Sequence, residues 1–291
     1  MRRHEPASDR GSSSSRLGAW AVWRPYLSSL RVSLGRTGRA ISFLTVLPVT
    51  SRKVDSNMAP ASAFFPLIGL MLGGVLVGVD LALRQVFPLA LTGTMLVAVP
   101  VLLTRALHVD GFMDACDGLL VGYTRERRLK IFRDPHPGAF AVIGVVILML
   151  VKWTAVVSLP PSIRLAALAF FPCISRWAML LVLELFPYAR AKGMRSSFHQ
   201  DRRARHLAVG TITAIVASIL VAGAFGIVLM AAAAAVALGL GRWMAGLLDG
   251  LTGDTYGAVN EVAEVAVLLV VVATATAAPS VVGWPVPWLG Q

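Results

Sequence analysis

The sequence predicts an all-α fold, a polytopic integral membrane bundle of about seven helices, and three observations carry that prediction. The chain of 291 residues is 56% hydrophobic and 14% charged, where soluble domains average about 25% charged. Apolar windows of membrane-spanning length recur from about residue 62 to residue 279. The Lys and Arg residues behind the net charge of +12 are clustered: of 27, ten lie in residues 1–53, five from Arg125 to Arg133 and six from Arg190 to Arg205. Such clusters are the mark of loops retained in the cytoplasm. A role for them against anionic lipid or a phosphate-bearing substrate stays open, and no nucleic-acid partner is expected.

In chain order, residues 1–35 are rich in Arg and Ser and read as a disordered basic extension. The early Arg-Arg is not followed by a compact apolar region and a cleavage site, so no signal peptide is expected. Ala40 to Val49 is apolar but too short to span, which suits an interfacial or re-entrant segment. Spans are expected at about 62–83, 86–104, 139–159, 163–186, 207–225, 227–248 and 259–279, with Gly223 and Gly226 turning the chain between the fifth and sixth. Parity supports this count. With a cytoplasmic N-terminus, the even spans return the chain at Arg105, Pro187 and Asp249, and every basic cluster then falls on one side. Residues 36–280 are expected to form one membrane-embedded catalytic domain, and 281–291 a short tail. Cys116 and Cys173 have neither disulfide nor metal-site spacing.

The acids are more telling than the bases. Only 15 are present, and eight fall in three places: Asp110, Asp114 and Asp117; Asp134; and Asp249, Asp254, Glu261 and Glu264. Asp110, Asp114 and Asp117, at i, i+4 and i+7, share one face of a helix. Such close carboxylates repel, and ionisable groups at bilayer depth cost about 2.5–3.5 kcal/mol each. A hard divalent cation, Mg²⁺, is the simplest neutraliser. Asp254, Glu261 and roughly Glu264 share a face of a second helix, with Gly257 allowing close approach of a neighbour. Two acidic helices at one membrane surface would hold metal and a diphosphate.

Of the basic segment Arg125–Arg133, Arg133 with its neighbour Asp134 is best placed for a phosphate contact and its orienting partner. His108 suits a base, a phosphate donor or interfacial packing. Arg176, inside an apolar span, needs a carboxylate or an anionic ligand, whereas Lys152 has a stem long enough to snorkel. His136 and His199 read as loop residues. Carboxylate-held metal beside basic groups suits in-line transfer at phosphorus, and the chain has no P-loop or dinucleotide glycine fingerprint.

At this point the chain resembles a known family, the cobalamin synthases or adenosylcobinamide-GDP ribazoletransferases. The matching residues are Phe43-Leu44-Thr45 with Leu47-Pro48-Val49, Phe65-Pro66-Leu67-Ile68-Gly69, the block His108 to Gly118, Arg133-Asp134 with Gly138-Ala139, Ser175-Arg176, and Leu251-Thr252-Gly253-Asp254-Thr255 through Glu264. They run in the family's order over about residues 40–270. The resemblance implies a bacterial inner-membrane enzyme with a cytoplasmic active site. It would join adenosylcobinamide-GDP to α-ribazole or its 5′-phosphate with Mg²⁺, releasing GMP, in the company of membrane lipid and other cobalamin-assembly enzymes. On these positions, Asp110, Asp114 and Asp117 would bind metal, one of them serving as base, and Asp254, Glu261 and Glu264 would complete the metal or substrate site. Arg133 and Arg176 would hold phosphates. Val46, where the family often has Arg, and Phe112-Met113, in place of Leu-Ala, depart from the pattern.

Two other readings remain open on sequence. A CDP-alcohol phosphotransferase uses related logic, but its Asp-Gly precedes an Ala-Arg step absent here. An ion-coupled transporter would place carboxylates at midspan on broken helices.

Overall fold

A computed structural model describes residues 34–49, 59–189 and 203–282. The expected N-terminal extension and C-terminal tail lie outside them, apart from residues 34–35, which are helical, and 281–282, which end a short 3₁₀ turn. His199 and all of the third basic cluster except Arg203 and Arg205 lie outside as well.

Ten helices are described: α1 (residues 34–44), α2 (Ala59–Ser62), α3 (Phe65–Leu83), α4 (Leu89–Leu103), α5 (Leu107–Val121), α6 (Arg125–Ile131), α7 (Ala139–Val157), α8 (Pro161–Leu185), α9 (Arg203–Leu248) and α10 (Gly253–Ala277). Among the described residues the only extended pairing is the bridge between Tyr188 and Leu251. Five helices are long and apolar enough to cross a membrane, and α4 with α5, bent by 90°, makes a sixth if the pair is one broken span.

That count takes α9 as one helix, but α9 is broken at Gly223, whose φ of 54° and ψ of −140° suit glycine. A Cβ on Gly226 would lie 2.6 Å from the Ser218 carbonyl oxygen. In a straight helix these residues would be about 12 Å apart along the axis, so the two arms fold back on each other.

Local sequence sets the ends. Pro66 and Pro161 occupy first-turn positions in α3 and α8, where no N–H is needed. Thr252 and Thr255 form a reciprocal capping box at the start of α10. Between α4 and α5, Arg105 and Ala106 both take left-handed conformations (φ 53° and 56°), and the chain turns through its right angle there. The Arg105 guanidinium holds the Val46 carbonyl at 3.2 Å, fastening the end of the 40–49 segment to this turn.

The core is built around α8, which is buried along nearly its whole length and packs on α3, α9 and α10. Gly69 and Gly73 let α3 lie directly on it: a Cβ at either would come within about 2.1 Å of a carbonyl oxygen, of Pro172 or Ala169. Because the obstacle is backbone, Gly73→Ala is expected to destabilise the protein by about 1–3 kcal/mol, read as a lowered unfolding temperature in detergent. An unchanged temperature would mean that the helices separate freely.

Where the sequence places Lys152 as a snorkelling residue, the structure differs. Lys152 is buried and paired with two carboxylates of α10. A second buried pair joins Arg164 of α8 to Asp80 of α3 at 2.8 Å, and Arg164 also donates to the Val156 carbonyl at 2.7 Å.

Candidate active site

The first turns of α5 and α10 meet across glycine. Gly111 lies against the Asp254 backbone and Gly257 against the His108 backbone, so the two helices run antiparallel with no side chain between them. This is the close approach expected at Gly257. It brings His108 and Asp110 from one helix and Asp254 from the other into a single pocket, closed by Phe43, Phe65 and Tyr256, with an empty volume of about 590 Å³, mouth included. Phe43 and Phe65 stack, with ring centroids 6.1 Å apart. These aromatics come from the Phe43-Leu44-Thr45 and Phe65-Pro66 stretches, which sequence reasoning flagged without giving them a role.

The pocket's polar groups differ in setting. Asp110 is exposed and Asp254 half-buried in the first turn of α10, where a helix N-terminus favours negative charge. His108 is buried, and its Nε2 has no hydrogen-bond partner. Asp114 lies one turn beyond Asp110 and is half-buried.

Asp117, the third member of the motif, is committed elsewhere. Its Oδ2 accepts from the Gly138 N–H at 2.5 Å and its Oδ1 from the Ala141 N–H at 3.0 Å. It thus caps α7 from a neighbouring helix. Asp117→Ala is expected to cost about 1–3 kcal/mol through the orphaned amides, measurable by thermal unfolding, with turnover per folded molecule largely kept. A collapse of turnover at full stability would instead mark Asp117 as a ligand.

The last acidic group, expected at one span end, is split three ways. Asp249, in a turn with φ 55°, pairs with Arg125 at 3.1 Å. Asp254 faces the pocket. Glu261 and Glu264 lie 9 and 12 residues past Thr252, or about 13 and 18 Å down α10, and are fully engaged there. Lys152 donates to Glu261 at 2.5 Å and to Glu264 at 2.8 Å; Arg176 donates to Glu264 at 2.7 Å. Asn260 and Ser175 bond the same carboxylates more weakly. Two cations and two carboxylates balance. Midspan acids of the kind a transporter would use are therefore present, but neutralised within the fold.

The basic segment forms α6, and its first residue has a role that composition did not signal. The Arg125 guanidinium donates to the Leu248 and Ala189 carbonyls at 2.9 and 3.0 Å, latching the ends of α8 and α9 together. Arg133 and Asp134 are exposed beyond the end of α6 and do not line the pocket. Backbone and imidazole hydrogen bonds from His136 hold the Asp134 carboxyl below its usual range.

Among the described residues, no group of three or more His, Cys, Asp or Glu side chains is clustered closely enough to hold a metal alone. Mg²⁺ commonly binds through one or two carboxylates plus substrate phosphates, and Asp110 with Asp254 fits that requirement.

Over residues 37–272 the chain matches the family described as cobalamin-5-phosphate synthase. It is 35% identical over 238 residues to the adenosylcobinamide-GDP ribazoletransferase of Desulfitobacterium hafniense, covering 79% of this chain and 93% of that one. It is 36% identical over 240 residues to the protein of the same name from Syntrophobacter fumaroxidans (79% and 95%) and 33% over 236 residues to that from Geotalea daltonii (80% and 95%). No solved structure matches the chain.

Proposed function

The chain belongs to the cobalamin-5-phosphate synthase family, a family of transferases in cobalamin synthesis, and from that premise we propose that it joins adenosylcobinamide-GDP to α-ribazole or its 5′-phosphate, with Mg²⁺, at the pocket between α5 and α10. The observation that carries this reading is the convergence of Asp110, Asp254 and His108 in one recess. A hydroxyl oxygen of the ribazole attacks the phosphorus bonded to cobinamide, the bond from that phosphorus to the bridging oxygen of the diphosphate breaks, and GMP leaves with the bridging oxygen. The hydroxyl proton passes to a base of the pocket.

Asp110 and Asp254, with Asp114 one turn away, would hold Mg²⁺, which when bound offsets the charge of the diphosphate. His108, whose buried Nε2 has no partner within the protein, would bond the attacking hydroxyl or a phosphate oxygen. The aromatic wall of Phe43 and Phe65 excludes water, strengthening each electrostatic contact. Arg133 and Asp134, which are exposed and do not line the pocket, would meet a phosphate as substrate arrives. The diphosphate end would enter this recess between Asp110 and Asp254 while the corrinoid stays outside it.

With both arms of α9 crossing and α4–α5 counted once, there would be seven crossings, and a cytoplasmic N-terminus would then give the pocket the cytoplasmic face of the inner membrane, the side on which basic loops are retained. The test is GMP release from adenosylcobinamide-GDP by purified membranes, with and without α-ribazole, its 5′-phosphate and Mg²⁺. Release is expected to need a ribazole and the metal, and Asp114→Asn is expected to abolish it while still inserting. Near-normal turnover by that variant would remove Asp114 from the site; silence from well-inserted wild-type protein would overturn the reaction itself.

A further inference from the structure

A second recess gathers basic groups that the proposed reaction does not use. Arg36 comes from α1, and Arg205 and His206 from the first turn of α9, around an apolar wall that includes Phe64 and Val209; the empty volume is about 910 Å³, mouth included. It lies at the same end of the bundle as the reaction pocket: Phe65, next to Phe64, lines that pocket.

Among the described residues, local compensation is thin. Glu184 lies 4.0 Å from His206 Nδ1 but also accepts from the Ser62 hydroxyl at 3.3 Å, and the first turn of α9 holds no acidic residue. Cations at a helix N-terminus oppose its dipole, and like charges in a cleft repel. The rule that basic loops stay in the cytoplasm explains the side on which these residues lie. It does not explain their convergence from two helices into one recess.

Guanidinium groups match phosphate oxygens in geometry, and the apolar wall suits the carbon skeleton behind them. We propose that this recess binds the phosphate group of an anionic ligand at the membrane surface, through Arg36 and Arg205 with His206 beside them. That phosphate belongs either to an anionic lipid headgroup or to α-ribazole 5′-phosphate; the second source rests on the proposed reaction.

Calorimetric titration of the purified full chain separates the two. The probes are short-chain phosphatidylglycerol against matched phosphatidylcholine, and α-ribazole 5′-phosphate against α-ribazole. One anionic probe is expected to bind more tightly than its counterpart and to lose about tenfold or more in affinity in the double variant Arg36→Gln with Arg205→Gln. The double Arg→Lys variant, which keeps the charge, is expected to lose less, and it also serves should the Gln variant fold poorly. Preference for the glycerol lipid identifies a headgroup site, and preference for the ribazole phosphate a substrate site. Equal binding within both pairs, or a preference that survives the Gln substitutions, would overturn the proposal. Binding is read without turnover, so failure of GMP release would sink the reaction and leave this site standing.

Discussion

Arg176→Met is expected to destabilise the protein by about 3–5 kcal/mol, because it leaves Glu264 charged and buried with one of its two cations gone. Thermal unfolding in detergent reads the loss directly. The double variant Arg176→Met with Glu264→Leu removes one charge of each sign and leaves Lys152 with Glu261. Replacing a buried pair by apolar groups is often neutral, so most of the stability should return, and the coupling between the two sites gives the pair's own contribution. Activity separates the two roles considered for Arg176. If it only supports the fold, GMP release recovers with stability; a stable double variant that stays inactive would mean that the guanidinium touches phosphate.

The second large effect has the opposite signature. Asp110 and Asp254 face the pocket, and Asp110 is exposed. Asp110→Asn and Asp254→Asn are therefore expected to lower turnover by about 10²–10³-fold, the scale for removing one electrostatic contact in an active site, with the unfolding temperature of Asp110→Asn unchanged. The residual activity should need more Mg²⁺. Measuring GMP release against Mg²⁺ concentration checks this. Variants that lose stability instead, or keep both turnover and metal dependence, would dissociate these carboxylates from the metal.

Much of this was legible in the sequence. The helices follow from apolar runs punctuated by Pro and Gly, and Gly223 marks its break because few other residues adopt its backbone angles. The meeting of α5 and α10 could be read from Gly257. What periodicity could not show is which acids on one face share an environment. Asp110 and Asp117 lie on the same stripe of α5 yet differ in setting, because the start of α7 binds Asp117 while Asp110 is exposed at the pocket. Asp254 and Glu261 likewise differ by depth along α10, which a helical wheel projects away. The clamp made by Arg125 and the pair of Asp80 with Arg164 carried no local signal, since their partners stand 123 and 84 residues away.

That separation has a consequence for biogenesis. Lys152 and Arg176 are synthesised 88 to 112 residues before the glutamates that neutralise them. At about 5–20 residues per second, the nascent chain carries two unmatched cations for about 5–20 s. Insertion of α7 and α8 is provisional over that interval, and only arrival of the last helix commits them. A ribosome that stalls before α10 leaves a chain with exposed intramembrane charge, the kind of species that quality-control proteases can recognise and remove.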